Sequence, residues 1–222
     1  MGLCAGLALC LAALPAQAAV VTYDLNYVFS PTPGSVTPLA TVTLTDVAND
    51  IKFDVVNLAG ANTKLESLYF NFSRGSLNPS QLTFSNVSAA TGTYSTLLAA
   101  TTTDTSNTML KADGDGYFDG KIAYTTSNFL ANGATLSFRL GLTGQNLDVT
   151  DFNFLSLSGP GTNPGTGSFT LAVQILNMPG GGSVWVGTPT PAAPVPLPAA
   201  ALFFGSGLLG LAGALRKKLN LA

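Results

Sequence analysis

Residues Ala40 to Asn57 read ATVTLTDVANDIKFDVVN. Val42 and Leu44 alternate with Thr41, Thr43 and Thr45, and further on Ile51, Phe53 and Val55 alternate with Lys52 and Asp54. A period of two puts the apolar set of each run on one face of a half-buried strand. The small polar group Ala48-Asn49-Asp50 between the runs is a turn signal.

The same period continues outward. Leu68, Phe70 and Phe72 alternate with Tyr69, Asn71 and Ser73, and Leu136, Phe138, Leu140 and Leu142 with Ser137, Arg139 and Gly141. Further strands are expected over 21–29, 81–87, 121–126, 149–157, 169–176 and 184–186. Thr32-Pro33-Gly34, Ala59-Gly60-Ala61-Asn62, Asn78-Pro79 and Asn132-Gly133 punctuate them. About ten short strands with such spacing predict an all-β fold, an antiparallel β-sandwich of jelly-roll kind. The stretch 91–109 reads as a short helix or a long loop, and 158–167 as a Gly/Pro loop.

Charged residues make up only 9% of the 222 residues, and hydroxyls and amides supply most of the polarity. That surface suits an extracellular β protein better than a helical cytosolic one. Arg216, Lys217 and Lys218 stand together near the C-terminus, which leaves six basic residues against eleven acidic ones elsewhere, a net of −5. An acidic body repels phosphate backbones, so nucleic acid is not an expected partner. There is no histidine, and both cysteines, Cys4 and Cys10, lie in the N-terminal apolar run. Ser-His-Asp and Cys-His catalysis, a Cys/His zinc site and a disulfide scaffold are therefore excluded.

Both ends read as addresses. Leu3 to Leu14 is a short apolar run followed by Pro15-Ala16-Gln17-Ala18, whose small Ala16 and Ala18 form the A-x-A pattern that signal peptidase cuts after Ala18. No basic residue precedes the run, which favours a start upstream of Met1. Residues 188–198 (TPTPAAPVPLP) alternate proline with small residues and are expected to form an extended spacer. The uncharged stretch 199–215 is about 25 Å long as a helix, barely enough to span a bilayer. Arg216, Lys217 and Lys218 would stop its transfer and leave 216–222 as a basic cytoplasmic tail.

A proline signature, a short apolar helix and a basic cluster, in that order, resemble the PEP-CTERM sorting signal. The residues that carry the resemblance are Val195, Pro196, Leu197, Pro198 and Ala199, the helix to Leu215, and Arg216 to Lys218. Leu197 stands where the commonest form has glutamate, so the tail is similar to the VPLPA variant. The body, over most of 38–187, also resembles the extracellular domain often found ahead of such tails, through 40–45, 67–72, 112–116 and 172–175. The resemblance implies export, transient anchoring in the inner membrane, and processing by an exosortase-type membrane protease. It implies no chemistry. The resulting organisation is a signal peptide (1–18), a β domain (19–187), a linker with the signature (188–198), a transmembrane helix (199–215) and a basic tail.

One cluster suggests chemistry. Asp113-Gly114-Asp115-Gly116-Tyr117-Phe118-Asp119-Gly120 spaces three carboxylates with glycines, as a loop around Ca²⁺ would. Tyr117 occupies the next ligand position, however, and Tyr124 stands where a closing glutamate belongs. A tight β-turn with solvated aspartates accounts for the same pattern. A glycosidase pair needs a substrate cleft between its carboxyls, and nothing in the sequence builds one. Tyr69, Tyr94, Tyr117, Tyr124 and Trp185 are candidates for stacking on sugar rings, or else for filling a sheet face. The expected function is non-enzymatic: a cell-surface or matrix protein of structural or adhesive role, cofactor-free. The alternative is a Ca²⁺-dependent carbohydrate-binding module, with extracellular polysaccharide as partner.

Overall fold

The computed structural model describes residues 18–73, 77–78, 81–89, 94–98, 110–113, 115–124, 129–157, 169–188 and 195–196. Ala16, Leu197, Pro198, Ala199, the predicted helix 199–215 and the basic cluster Arg216, Lys217 and Lys218 lie outside them. Among the described residues no helix is long and apolar enough to cross a membrane.

Every strand pairing among the described residues is antiparallel. Its strands are β1 (Ala19–Ser30), β2 (Gly34–Val47), β3 (Asp50–Asn57), β4 (Lys64–Phe70), β5 (Leu82–Ala89), β6 (Tyr94–Leu98), β7 (Gly120–Tyr124), β8 (Leu130–Ala131), β9 (Thr135–Leu142), β10 (Leu171–Leu176), β11 (Ser183–Thr188) and β12 (Val195–Pro196). They form one continuous sheet in the order β5-β9-β3-β2-β1-β11-β10-β4-β7-β6, with β8 added to β4 and β12 to β1.

The alternating runs do what their period requires. In β3, Ile51, Phe53 and Val55 are fully buried, while Lys52 and Asp54 between them are half-buried and form an ion pair of 2.8 Å. β2 pairs with β3 across the Ala48-Asn49 turn, so Leu44 stands opposite Phe53 and Val42 opposite Val55 on one apolar face. Ala48 takes φ +57° in that turn, in the left-handed region that non-glycine residues enter uncommonly.

The sheet curls onto itself. β3 and β4 are five places apart in the strand order, about 24 Å if the sheet were flat. Yet the rings of Phe53 and Phe70 are 5.4 Å apart, and Phe84 of β5 reaches Phe70 at 6.2 Å. The inner face therefore closes around a single core of Leu44, Phe53, Phe70, Phe138, Phe152 and Val173. A smaller aromatic cluster of Phe29, Tyr69, Phe118, Phe169 and Trp185 lies on the outer face of β1, β11, β10 and β4. β4, β10 and β11 are covered on both sides, so alternation fails there: both Leu68 and Tyr69 are buried, as are both Ala172 and Val173, whereas β1 keeps Thr22, Asp24 and Asn26 exposed between buried Val21, Tyr23 and Leu25.

Two expectations change. Residues 149–157 do not form a strand. Val149–Phe152 is instead a 3-10 turn, started by a capping box in which the Asp148 side chain accepts from Thr150 N and Asp151 accepts from Asp148 N. Val149 and Phe152, three apart, both point inward, a spacing that suits a 3-10 turn. Within 91–109, the described residues Tyr94–Leu98 form neither helix nor loop but β6, paired with β7.

A buried asparagine ties the loops at one end. Asn57 Nδ2 donates to Leu130 O at 3.0 Å and to Thr63 O at 3.4 Å, and its Oδ1 accepts from Ala59 N at 3.1 Å. These bonds join the β3–β4 loop to β8 and offset the cost of burying the amide.

Candidate functional site

The acidic segment is part of the layer over the outer face. It enters at Leu110 and leaves into β7 at Gly120, with the amide of Phe118 bonded to Leu110 O at 3.0 Å and that of Asp115 to Ala112 O at 3.2 Å. Tyr117 and Leu157 exchange two backbone hydrogen bonds of 2.8 and 2.9 Å, which fix the segment against the chain before residue 158. Phe118 then drops onto Tyr69 edge-on, with ring centroids 5.7 Å apart. Gly120 rests against the Phe70 ring, where a Cβ would overlap the ring atoms. Packing, not loop freedom, demands that glycine.

The three aspartates take separate partners. Asp113 is exposed, and its Oδ2 accepts from Ser30 Oγ at 3.4 Å. Asp115 is 1% exposed, and its Oδ2 accepts from Ser156 Oγ at 2.7 Å. That hydroxyl in turn accepts from Phe169 N at 3.1 Å. Asp119 is 3% exposed, and its Oδ2 accepts from Phe72 N at 3.1 Å. Two of the three carboxylates are thus buried cross-links, each joining the segment to chain more than forty residues away.

Burial sets the electrostatics of Asp115. Loss of hydration raises its carboxyl to about 6, against the opposing pull of the Ser156 hydroxyl and the amides of Gly116 and Phe169. Among the described residues, no three His, Cys, Asp or Glu side chains gather where one metal ion could be held.

The aromatic candidates are also inside. Tyr69 is 4% exposed, Tyr117 and Tyr124 7%, and Trp185 8%, so none of the four offers a ring face for a sugar. The side chain of Tyr94 lies outside the described residues. Trp185 packs edge-on against Tyr69 at 5.3 Å and holds β11 to the outer cluster.

Within the proline-rich stretch, Val195–Pro196 is a short strand, β12. It pairs with the start of β1, Pro196 opposite Ala19 and Val195 opposite Val20. The first two residues of the expected sorting signature therefore lie beside the residues that follow the expected signal cut at Ala18. Sequence reasoning missed this pairing, and it missed Asp46, which accepts from the amides of both Ala19 and Val149. A single aspartate at the end of a Thr-rich strand carries no local signal of such a role.

Compared with known proteins, the chain matches no family model, no curated protein and no solved structure.

Proposed function

We propose that the protein is an exported cell-surface or extracellular-matrix protein, processed at both ends, with a structural or adhesive role and no catalysis. Signal peptidase removes 1–18. An exosortase-type membrane protease reads Val195 to Ala199 while the apolar stretch 199–215 holds the chain in the inner membrane. The observation that carries this reading is where the long strands lie. The first strand opens at Ala19, directly after the A-x-A pattern, and the last long strand ends at Thr188, where the proline-rich linker begins. Every residue of the described cores falls between those limits. Architecturally, the curled sheet is read as a sandwich of jelly-roll kind, its two halves facing across Phe53 and Phe70.

Intact mass spectrometry of the surface protein from its native host tests the sorting step. The expected mature chain lacks 199–222, whereas a host without a matching sorting enzyme keeps the tail. A native protein ending at Ala222 would make the tail a permanent anchor and overturn the reading.

The same reading uses no cofactor. With Asp115 and Asp119 turned to protein donors, millimolar Ca²⁺ is expected to leave the melting temperature unchanged, since only a ligand bound by the native state raises it. A rise that Asp113→Asn abolishes would revive the Ca²⁺-dependent carbohydrate-binding alternative.

A further inference from the structure

The N-terminal end of β1 meets an acidic corner of the domain. Ala19 N donates to Asp46 Oδ2 at 3.2 Å, while Asp46 Oδ1 accepts from Val149 N at 3.0 Å. One carboxylate thus joins β1, β2 and the 3-10 turn. Asp148 and Asp151 stand close enough to act on Asp46 electrostatically, and each also accepts from the backbone of that turn. Among the described residues no Lys or Arg pairs with any of the three; the ion pair there is Lys52 with Asp54. The corner holds three carboxylates, and the one nearest β1, that of Asp46, is bonded to a backbone N–H that carries no net charge.

Removal of the signal peptide changes that nitrogen. Hydrolysis breaks the C–N bond between Ala18 and Ala19 and adds one water. The oxygen goes to Ala18 as carboxylate, and the Ala19 nitrogen, which had one hydrogen, is left as –NH₃⁺. Its place in the strand is already fixed by the pairing of Val20 with Thr45 on β2 and of Ala19 with Pro196 on β12.

We propose that Asp46 is the receptor for the new N-terminus: cleavage after Ala18 turns the Ala19–Asp46 hydrogen bond into an ion pair that locks the start of β1 only in the exported, mature protein. Charge-assisted hydrogen bonds are about twice as strong as neutral ones, so the gain arises from a charge and needs no movement. Asp148 and Asp151 add attraction without competing for the site, because their carboxylates are occupied by the turn's own N–H groups. This inference rests on the cleavage reading given above.

The test uses the full chain, exported and processed. One variant inserts a serine between Ala18 and Ala19, so that cleavage after Ala18 leaves the Ala19 amide in place and moves the charge one residue away. Its melting temperature is expected to fall by about 2–4 °C relative to wild type, the shift for one strengthened hydrogen bond in a domain of this size. In an Asp46→Asn background the same insertion is expected to change nothing, because the partner charge is gone. Should Asp46→Asn fail to fold, acylation of the α-amine at neutral pH gives a second readout: slower for wild type than for the insertion variant if the ammonium is paired. N-terminal sequencing accompanies each sample. A mature chain starting elsewhere than Ala19 overturns the cleavage reading and the proposal together. A chain starting at Ala19 whose stability and acylation rate ignore the insertion overturns the proposal alone.

Discussion

Phe53→Ala is expected to cost about 3–5 kcal/mol, the range for deleting a fully buried phenylalanine from a core. Phe53 is where the curl of the sheet closes. Its ring stacks on Phe138 at 4.7 Å and 12°, meets Phe152 edge-on at 5.2 Å and 89°, and touches Phe70 from the opposite half at 5.4 Å. Truncation removes all three contacts and leaves a cavity that neighbouring strands, held by their ladders, cannot fill. A typical domain has a total stability of about 5–15 kcal/mol, so the variant should sit near the edge of folding. Urea unfolding measures the loss. Lys52→Ala, next along the strand, is the control, since its half-exposed ion pair with Asp54 is worth about 1 kcal/mol or less. A loss of under about 1 kcal/mol for Phe53→Ala would mean that the halves of the sheet do not meet at this ring.

The second large effect is a pH dependence with an unusual sign. Most native carboxylates are stabilised when charged, so domains weaken as pH falls. Asp115 runs the other way, because burial raises its carboxyl from the ordinary 3.8 to about 6. The folded state therefore binds the proton more tightly than the unfolded chain does. The stability this group contributes is fully present below about pH 3.8 and is lost as pH rises through about 6. A difference of about two pKa units corresponds to about 3 kcal/mol. Asp115→Asn keeps an acceptor oxygen for Ser156 and does not titrate. Across pH 4 to 7, wild type is expected to lose about 2 kcal/mol relative to this variant, read from paired melting curves. If the difference stays flat, the Asp115 carboxyl is hydrated and the layer over the outer face does not cover it.

Much of the fold was legible because its periodic strands expose one face. β2, β3 and β9 each carry a clean alternation, and the structure buries the expected set. Legibility failed where short-range pattern and long-range burial part company. Tyr69 and Trp185 look like exposed polar-tipped aromatics, but a second layer containing Phe118 and Phe169 covers them. β6, β8 and β12 are too short, or too poor in alternation, to be seen without their partners. The 3-10 turn is hidden in a single pair of apolar residues three apart.

The acidic segment shows the same division. Its spacing was visible, since Asp113, Asp115 and Asp119 are fixed by sequence. Where each carboxylate points was not. That depends on Ser156, 41 residues beyond Asp115, and on Phe72, 47 residues before Asp119. A carboxylate that satisfies a distant backbone amide and one that holds a cation look identical in sequence. The hydroxyl and amide donors that distinguish them arrive only with the fold.

The pairing of β12 with the first residues of β1 has a mechanical consequence. The strands are antiparallel, so the chain entering at Ala19 and the chain leaving at Pro196 cross the same end of the sheet, one strand spacing apart. Tension applied between those two points would peel the strands apart at one hydrogen bond after another, because each ladder bond lies across the strands and along the pull. Shear, in which many bonds resist together, would require the ends to leave from opposite sides. The domain therefore hangs from its two ends like a bead on a closed loop.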